Sequence, residues 1–303
     1  VCMSCSLTSV MTLSAFMPNS LTGHLKLSRD QMAMVTAGQG LGSLVGMVLV
    51  PAISARLGRK PVMLVALVIN AAALSRVQDS DTAPERARAV NAEAPGDIAR
   101  ACAERGLPLI QISTDYVFGA ETLRPWRESD PVSPVNSYGR LKAEGERNVL
   151  TASDRACIAR VAWLFGDGED FIATLLRGDT ETVRVADDQI GSPTPIVPLA
   201  ERLLALAGRL GAGEATPRTL HIAGSPPVSR ADWVAAAFEA LHRAGRQTPA
   251  LVRVPIAEFG GTVRRPHYSA LDCSLAAELF GGEIDWRIAA ARPELFAERV
   301  LSA

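Results

Sequence analysis

From residue 67 onward the sequence predicts an α/β fold, a doubly wound parallel sheet with a small α/β substrate-binding part, and three observations carry that prediction. Short apolar runs alternate with helix-length stretches, the pattern of parallel sheets built from strand–helix–strand units. One run, Pro108-Leu109-Ile110-Gln111-Ile112, ends in two hydroxyls, Ser113 and Thr114. The helix expected after it carries Tyr138 and Lys142 four residues apart, hence on one face. Open α/β sheets place ligands at the carboxyl ends of their strands. Ser113, Thr114, Tyr138 and Lys142 therefore form a candidate site.

The elements follow in order. Val68-Ile69 is a short strand, and Asn70-Ala71-Ala72-Ala73 the turn after it. A helix is expected from about Pro84 to Glu104, then the strand at Leu109. Prolines 125, 131 and 134 keep residues 126–134 a loop. The helix of Tyr138 runs to about Ala152, and Cys157-Ile158-Ala159-Arg160-Val161 is the next strand. Further on come a strand at Val183–Ala186, a polar loop from Asp187 to Thr194, an amphipathic helix from Leu199 to Leu210 and a strand at Thr219–Ile222. Ser229 opens a helix with Asp232 three residues on, a capping pattern. A strand at Leu251–Val254 and helices to the end complete the chain.

Residues 1–66 read differently. They carry Lys26, Arg29, Arg56, Arg59 and Lys60 against Asp30 alone, a net charge of +4 that leaves −5 for the remainder of a chain with net charge −1. The 25 residues from Gln31 to Ala55 contain no charged side chain, enough to cross a bilayer. Gly38, Gly42 and Gly46 repeat at the four-residue spacing of closely packed membrane helices, and the basic cluster after them suits the cytoplasmic side. An apolar helical extension, with membrane contact through residues 1–66, is the expectation. The rival reading makes Met32–Gly42 a strand entering a dinucleotide-binding glycine turn, with a second strand at Val62–Val65. No acidic ribose ligand follows that second strand, which counts against it.

The totals exclude several classes. No extended basic tract accompanies the near-neutral charge, so nucleic acid is not an expected partner. Five scattered cysteines imply no disulfide framework, and Cys2-x-x-Cys5 lacks the second pair that a metal site would need. His221 and His242 stand alone on a strand and a helix, where a structural role is commoner than a catalytic one.

The chemistry of the candidate site is that of ketone reduction. A lysine ammonium near a phenol favours the phenolate, making Tyr138 a usable proton donor or acceptor, and a Thr114 hydroxyl could hold a carbonyl oxygen beside it. With three tyrosines in the chain, Tyr-x-x-x-Lys would arise by chance in roughly 3% of shuffled sequences, so the spacing alone is modest support.

The surrounding residues add to it. Ser113-Thr114-Asp115-Tyr116-Val117-Phe118, followed by Asn136-Ser137-Tyr138-Gly139-Arg140-Leu141-Lys142-Ala143-Glu144-Gly145-Glu146, resembles the extended short-chain dehydrogenases, and within them the dTDP-4-dehydrorhamnose reductase family. Agreement continues in order through Val68–Ala73, Val90–Pro95, Arg160–Gly166, Asp187–Thr194 and Arg265–Asp272, over about residues 67–303. The resemblance implies a Rossmann-like sheet lacking its usual first βαβ units. It implies Thr114, Tyr138 and Lys142 as catalytic residues, with Asn70, Ala71, Ala72, Ser113, Tyr138 and Lys142 at an NADPH or NADH cofactor. Asp115, Tyr116, Trp163, Gln189 and Ser192 would contact a dTDP-4-dehydro-6-deoxy-L-sugar, dTDP-4-dehydro-L-rhamnose. It also implies cytoplasmic placement for residues 67–303 and activity impaired by the loss of the pyrophosphate cradle.

Residues 1–66 resemble instead the first helices of a major facilitator transporter, through Arg56-Leu57-Gly58-Arg59-Lys60, although Pro51 and Ala55 stand where that loop has glycine and aspartate. Two alternatives to a free reductase follow: a non-catalytic sugar-nucleotide-binding or regulatory protein, and a membrane-tethered fusion. Cofactor choice between NADH and NADPH and oligomeric state are left open.

Overall fold

The computed structural model of the protein describes residues 67–166, 170–178, 180–260 and 263–297. Every expectation for residues 1–66, whether membrane helix, transporter-like loop or glycine turn, lies outside the described residues. Among those described, no helix is long and apolar enough to cross a membrane.

Four strands, β1 (Val68–Asn70), β2 (Leu109–Thr114), β3 (Ala156–Val161) and β4 (Thr219–His221), form one parallel sheet in that spatial order. The register pairs Val68 with Leu109, Leu109 with Ala156, and Ile158 with Thr219. Side chains alternate across a strand with period two, and β2 and β3 are apolar on both faces. Leu109, Ala156 and Ile158 face helices α1 (Ala94–Glu104) and α2 (Ser137–Ala152), packing with Ala99, Cys102 and Val149. Ile110, Cys157 and Ala159 point the other way, against Leu199, Leu206 and Leu210 of helix α3 (Ile196–Gly211) and Ala276 of the helix Ser274–Phe280. Helices thus cover both faces, as the sequence predicts. Strand order among the described residues runs without reversal.

Element boundaries move by a few residues from those expected. The helix expected over 84–104 is continuous but changes character: Pro84–Arg88 is α-helical, Ala89–Glu93 a π-helical turn, and α1 follows. At that turn Gly145 of α2 comes so close that a Cβ would lie 2.3 Å from the Asn91 carbonyl oxygen. α2 is capped by Asn136, whose side chain accepts from the Gly139 amide at 2.8 Å.

The second part of the molecule is a smaller lobe. The strands Thr182–Ala186 and Ala250–Val254 pair in parallel, and helix α4 (Arg230–Arg243) packs on them through fully buried Trp233. Ser229 caps α4 as the spacing predicts, its hydroxyl accepting from the Asp232 amide at 3.0 Å. The loop over 187–194 contains two short strand segments, Ile190–Gly191 and Thr194–Pro195, which pair with Val228–Ser229 and Leu164–Phe165.

Candidate active site

A cavity of about 390 Å³ opens at the carboxyl ends of β1, β2 and β3. Its walls include Ala71, Ala73, the run Ile112 to Tyr116, Tyr138, Lys142 and the run Val161 to Leu164. The four residues singled out by spacing, Ser113, Thr114, Tyr138 and Lys142, meet here. They meet because α2 can approach the turn that follows β2, Asp115–Val117, very closely. A Cβ on Gly139 would lie 2.1 Å from the Tyr116 carbonyl oxygen, so only glycine permits the first turn of α2 to rest there.

Tyr138 and Lys142 share a face of α2 as expected, but their electrostatics differ from the expectation. Burial pushes the Tyr138 phenol well above its ordinary pKa, and the nearby Asp115 carboxylate pushes it further in the same direction. Lys142 is itself buried and pushed down to about 8, with Glu146 acting in the opposite sense. Its ammonium donates to the Ile112 carbonyl at 2.8 Å, which fixes it between sheet and helix. Tyr138 is consequently a neutral phenol here, the form that carries a proton to give.

Thr114 accepts from the Tyr116 amide at 3.2 Å and donates to Asp115 Oδ1 at 3.0 Å. The other Asp115 oxygen accepts from the Ser269 hydroxyl at 2.6 Å. Burial raises the Asp115 carboxyl to about 6, while these two hydrogen bonds act to lower it. Tyr116 lies edge-on to Tyr138, with ring centroids 6.1 Å apart and an interplanar angle of 75°. Ser113 contributes a buried hydroxyl with no hydrogen-bond partner among the described residues.

The remaining predicted residues divide. Trp163 lines the cavity beside Asp115 and Tyr116. The Asn70 side chain is engaged within the fold: its Nδ2 donates to Gln111 Oε1 at 2.8 Å and its Oδ1 accepts from the Ala72 amide at 3.1 Å. It therefore shapes the turn, leaving Ala71 and Ala73 as the wall. Gln189 is buried and accepts from Arg230 Nε at 3.0 Å. Ser192 is fully buried away from the cavity wall, its hydroxyl accepting from the Leu271 amide at 3.3 Å.

Two residues that back the cavity wall were not singled out by the sequence, Ser269 against Asp115 and Arg230 against Trp163. Ser269 lies within the Arg265–Asp272 segment, so a signal existed. Arg230 follows a cap and carries no local mark. His221 is buried and held down to about 3 by burial and by Arg160, bonding between Arg160 and the Asp272 carbonyl away from the cavity.

A family model described as the RmlD substrate binding domain matches residues 61–294. The chain belongs to that family. The transporter resemblance of residues 1–66 gains no support from these relatives. The chain is 45% identical over 181 residues to dTDP-4-dehydrorhamnose reductase of Mycolicibacterium smegmatis, covering 58% of this chain and 54% of that protein. It is 40% identical over 214 residues to the Streptomyces griseus dTDP-4-dehydrorhamnose reductase, covering 69% of each. It thus spans about half the length of the first relative and about two thirds of the second. A dTDP-4-dehydrorhamnose reductase structure from Clostridium acetobutylicum superposes with a TM-score of 0.67 at 31% identity, over 74% of this chain and 78% of that one. The Bacillus anthracis reductase, solved in complex with NADP, gives a TM-score of 0.66 at 25% identity, over 80% of this chain and 82% of that one.

Proposed function

We propose that this protein reduces the 4-keto group of dTDP-4-dehydro-L-rhamnose with NADPH or NADH. The observation that supports this most directly is the convergence of Thr114, Tyr138 and Lys142 on one cavity at the strand ends, in a chain whose family relatives include dTDP-4-dehydrorhamnose reductases. Residues 67–303 are the part of the chain to which this reading assigns the chemistry.

The residues present fit the nicotinamide half of such a cofactor. Ala71 and Ala73 make a wall of small side chains, and Ser113 brings a buried hydroxyl with no partner among the described residues. Lys142, anchored on the Ile112 carbonyl, keeps two further N–H donors for ribose hydroxyls. When bound, the reduced nicotinamide supplies hydride to the carbonyl carbon. Tyr138 gives the proton that the developing alkoxide takes up, and its neutral state in this cavity suits a donor. Lys142, cationic below about pH 8, stabilises the phenolate left behind. Thr114 donates to the substrate oxygen after its hydroxyl hydrogen turns from Asp115. Asp115 and Tyr116 then face the sugar ring.

The test is a titration of NADPH into the full chain, followed by NADPH oxidation with dTDP-4-dehydro-L-rhamnose, with Tyr138→Phe alongside. Turnover that disappears in Tyr138→Phe while NADPH binding remains is the expected result. Absence of NADPH binding at millimolar cofactor would overturn the proposal for this chain.

A further inference from the structure

Trp163 occupies an unusual backbone conformation. Its φ is +39°, in the left-handed region that side chains of L-residues adopt only when their surroundings over-determine it. The surroundings can be named. The Trp163 carbonyl accepts from the Thr194 amide at 2.9 Å. Its ring lies against Gly191, where a Cβ would come within 2.2 Å of Cε2 and Cζ2. The Arg230 guanidinium stacks over the same ring, 3.7 Å from its centroid.

Arg230 is itself held. Its amide donates to the Gln189 carbonyl at 2.9 Å and its Nε to Gln189 Oε1 at 3.0 Å. Phe171 and Trp233 also lie within cation–π range, at 4.8 and 5.9 Å. Among the described residues no carboxylate lies within ion-pairing distance of it, although the Asp115 carboxylate acts on its charge from farther away. A planar guanidinium can lie flat on an indole while bonding through its edge, which a lysine ammonium cannot.

We propose that Arg230 is a positioning residue which, with Gly191, presets Trp163 at the cavity wall and so governs sugar-nucleotide affinity through Trp163. This deepens the reductase reading and rests on it for its kinetic part. Loosening the indole should weaken ground-state binding while leaving Thr114, Tyr138 and Lys142 in place, which appears as a rise in KM with kcat nearly unchanged.

The test uses the full chain labelled with ¹⁵N at its tryptophan indoles, with the Trp163 signal assigned by Trp163→Phe. Arg230→Met is expected to move the Trp163 cross-peak while those of Trp126 and Trp286 stay, and Arg230→Lys is expected not to restore it. In kinetics Arg230→Met should raise KM for the dTDP-sugar about tenfold with kcat within about twofold. In a Trp163→Phe background the same change should add less than about twofold, because contacting residues are not additive. An unmoved Trp163 signal, a full effect of Arg230→Met without Trp163, or restoration by lysine would each overturn the proposal. Gly191→Ala perturbs the indole from its other contact and serves if Arg230→Met does not fold; an unmoved Trp163 signal there also counts against it. Should the wild-type chain bind no thymidine diphosphate, the reductase reading fails, and the indole spectra still decide whether Arg230 holds Trp163.

Discussion

The two walls of the cavity are built by different means. The wall made by β2 and α2 comes from one stretch of chain, Ser113 to Lys142, and is held by hydrogen bonds to the backbone: Lys142 to the Ile112 carbonyl, Thr114 to the Tyr116 amide, and Asn136 to the Gly139 amide. The Trp163 side is backed by Gly191 and Arg230, far apart in sequence, and besides the Thr194 amide on the Trp163 carbonyl it is held by aromatic and cation–π packing. Backbone-anchored groups are positioned to the precision that proton transfer needs, whereas a stacked ring can be tuned without disturbing the chemistry. Catalysis should therefore be sensitive at the first wall and binding at the second.

The largest effect expected is at Tyr138. Tyr138→Phe should lower the rate of NADPH oxidation about 10²- to 10⁴-fold with little change in Tm, since it removes only the proton donor. A loss under tenfold would place the proton elsewhere and erase the contrast between the walls.

Next is the pH dependence that Asp115 imposes. Its folded pKa, about 6, lies above its ordinary value of 3.8, so the group contributes stability that is fully present below about pH 4 and lost as pH rises through 6. The unfolding free energy of the wild type should fall by about 2–3 kcal/mol between pH 4 and 7 relative to Asp115→Asn. Parallel pH profiles for the two proteins would mean that Asp115 is not buried as described.

Gly139→Ala tests the close approach that creates the first wall. With the Tyr116 carbonyl in the way, α2 must shift, and a loss of about 1–3 kcal/mol in denaturant unfolding is expected together with reduced turnover. Unchanged kinetics would show that the position of α2 is less critical than its contacts imply.

The smallest effect belongs to the smaller lobe. Arg184 and Glu258 form an ion pair with both side chains about half exposed, so a double-mutant cycle should give less than about 1 kcal/mol of coupling and leave KM unchanged. A larger coupling would show that the lobe relies on surface charge as well as on its aromatic core.

Legibility follows the same division. Apolar period and turn residues located the strands to within a few residues, because each depends on neighbours in the chain. The spacing of Tyr138 and Lys142 placed both on one face of a helix for the same reason. The π-helical turn at Ala89–Glu93 left no mark in the pattern, since it reflects the contact with Gly145, more than fifty residues later. Nor could spacing show that Asn70 would spend its side chain on Gln111 and Ala72, or that Ser192 would turn inward to the Leu271 amide.

What the sequence determined by itself is the α/β order, the strand ending in Ser113 and Thr114, and the helical face of Tyr138 and Lys142; all are set by interactions a few residues long. Tertiary structure decided which groups are charged and which side chains meet. Desolvation keeps Tyr138 a neutral phenol despite Lys142 on its own face, and it raises Asp115 toward neutrality. Packing between distant segments brings Arg230 onto Trp163. Burial and stacking depend on everything that surrounds a side chain, and that is fixed only when the chain has closed on itself.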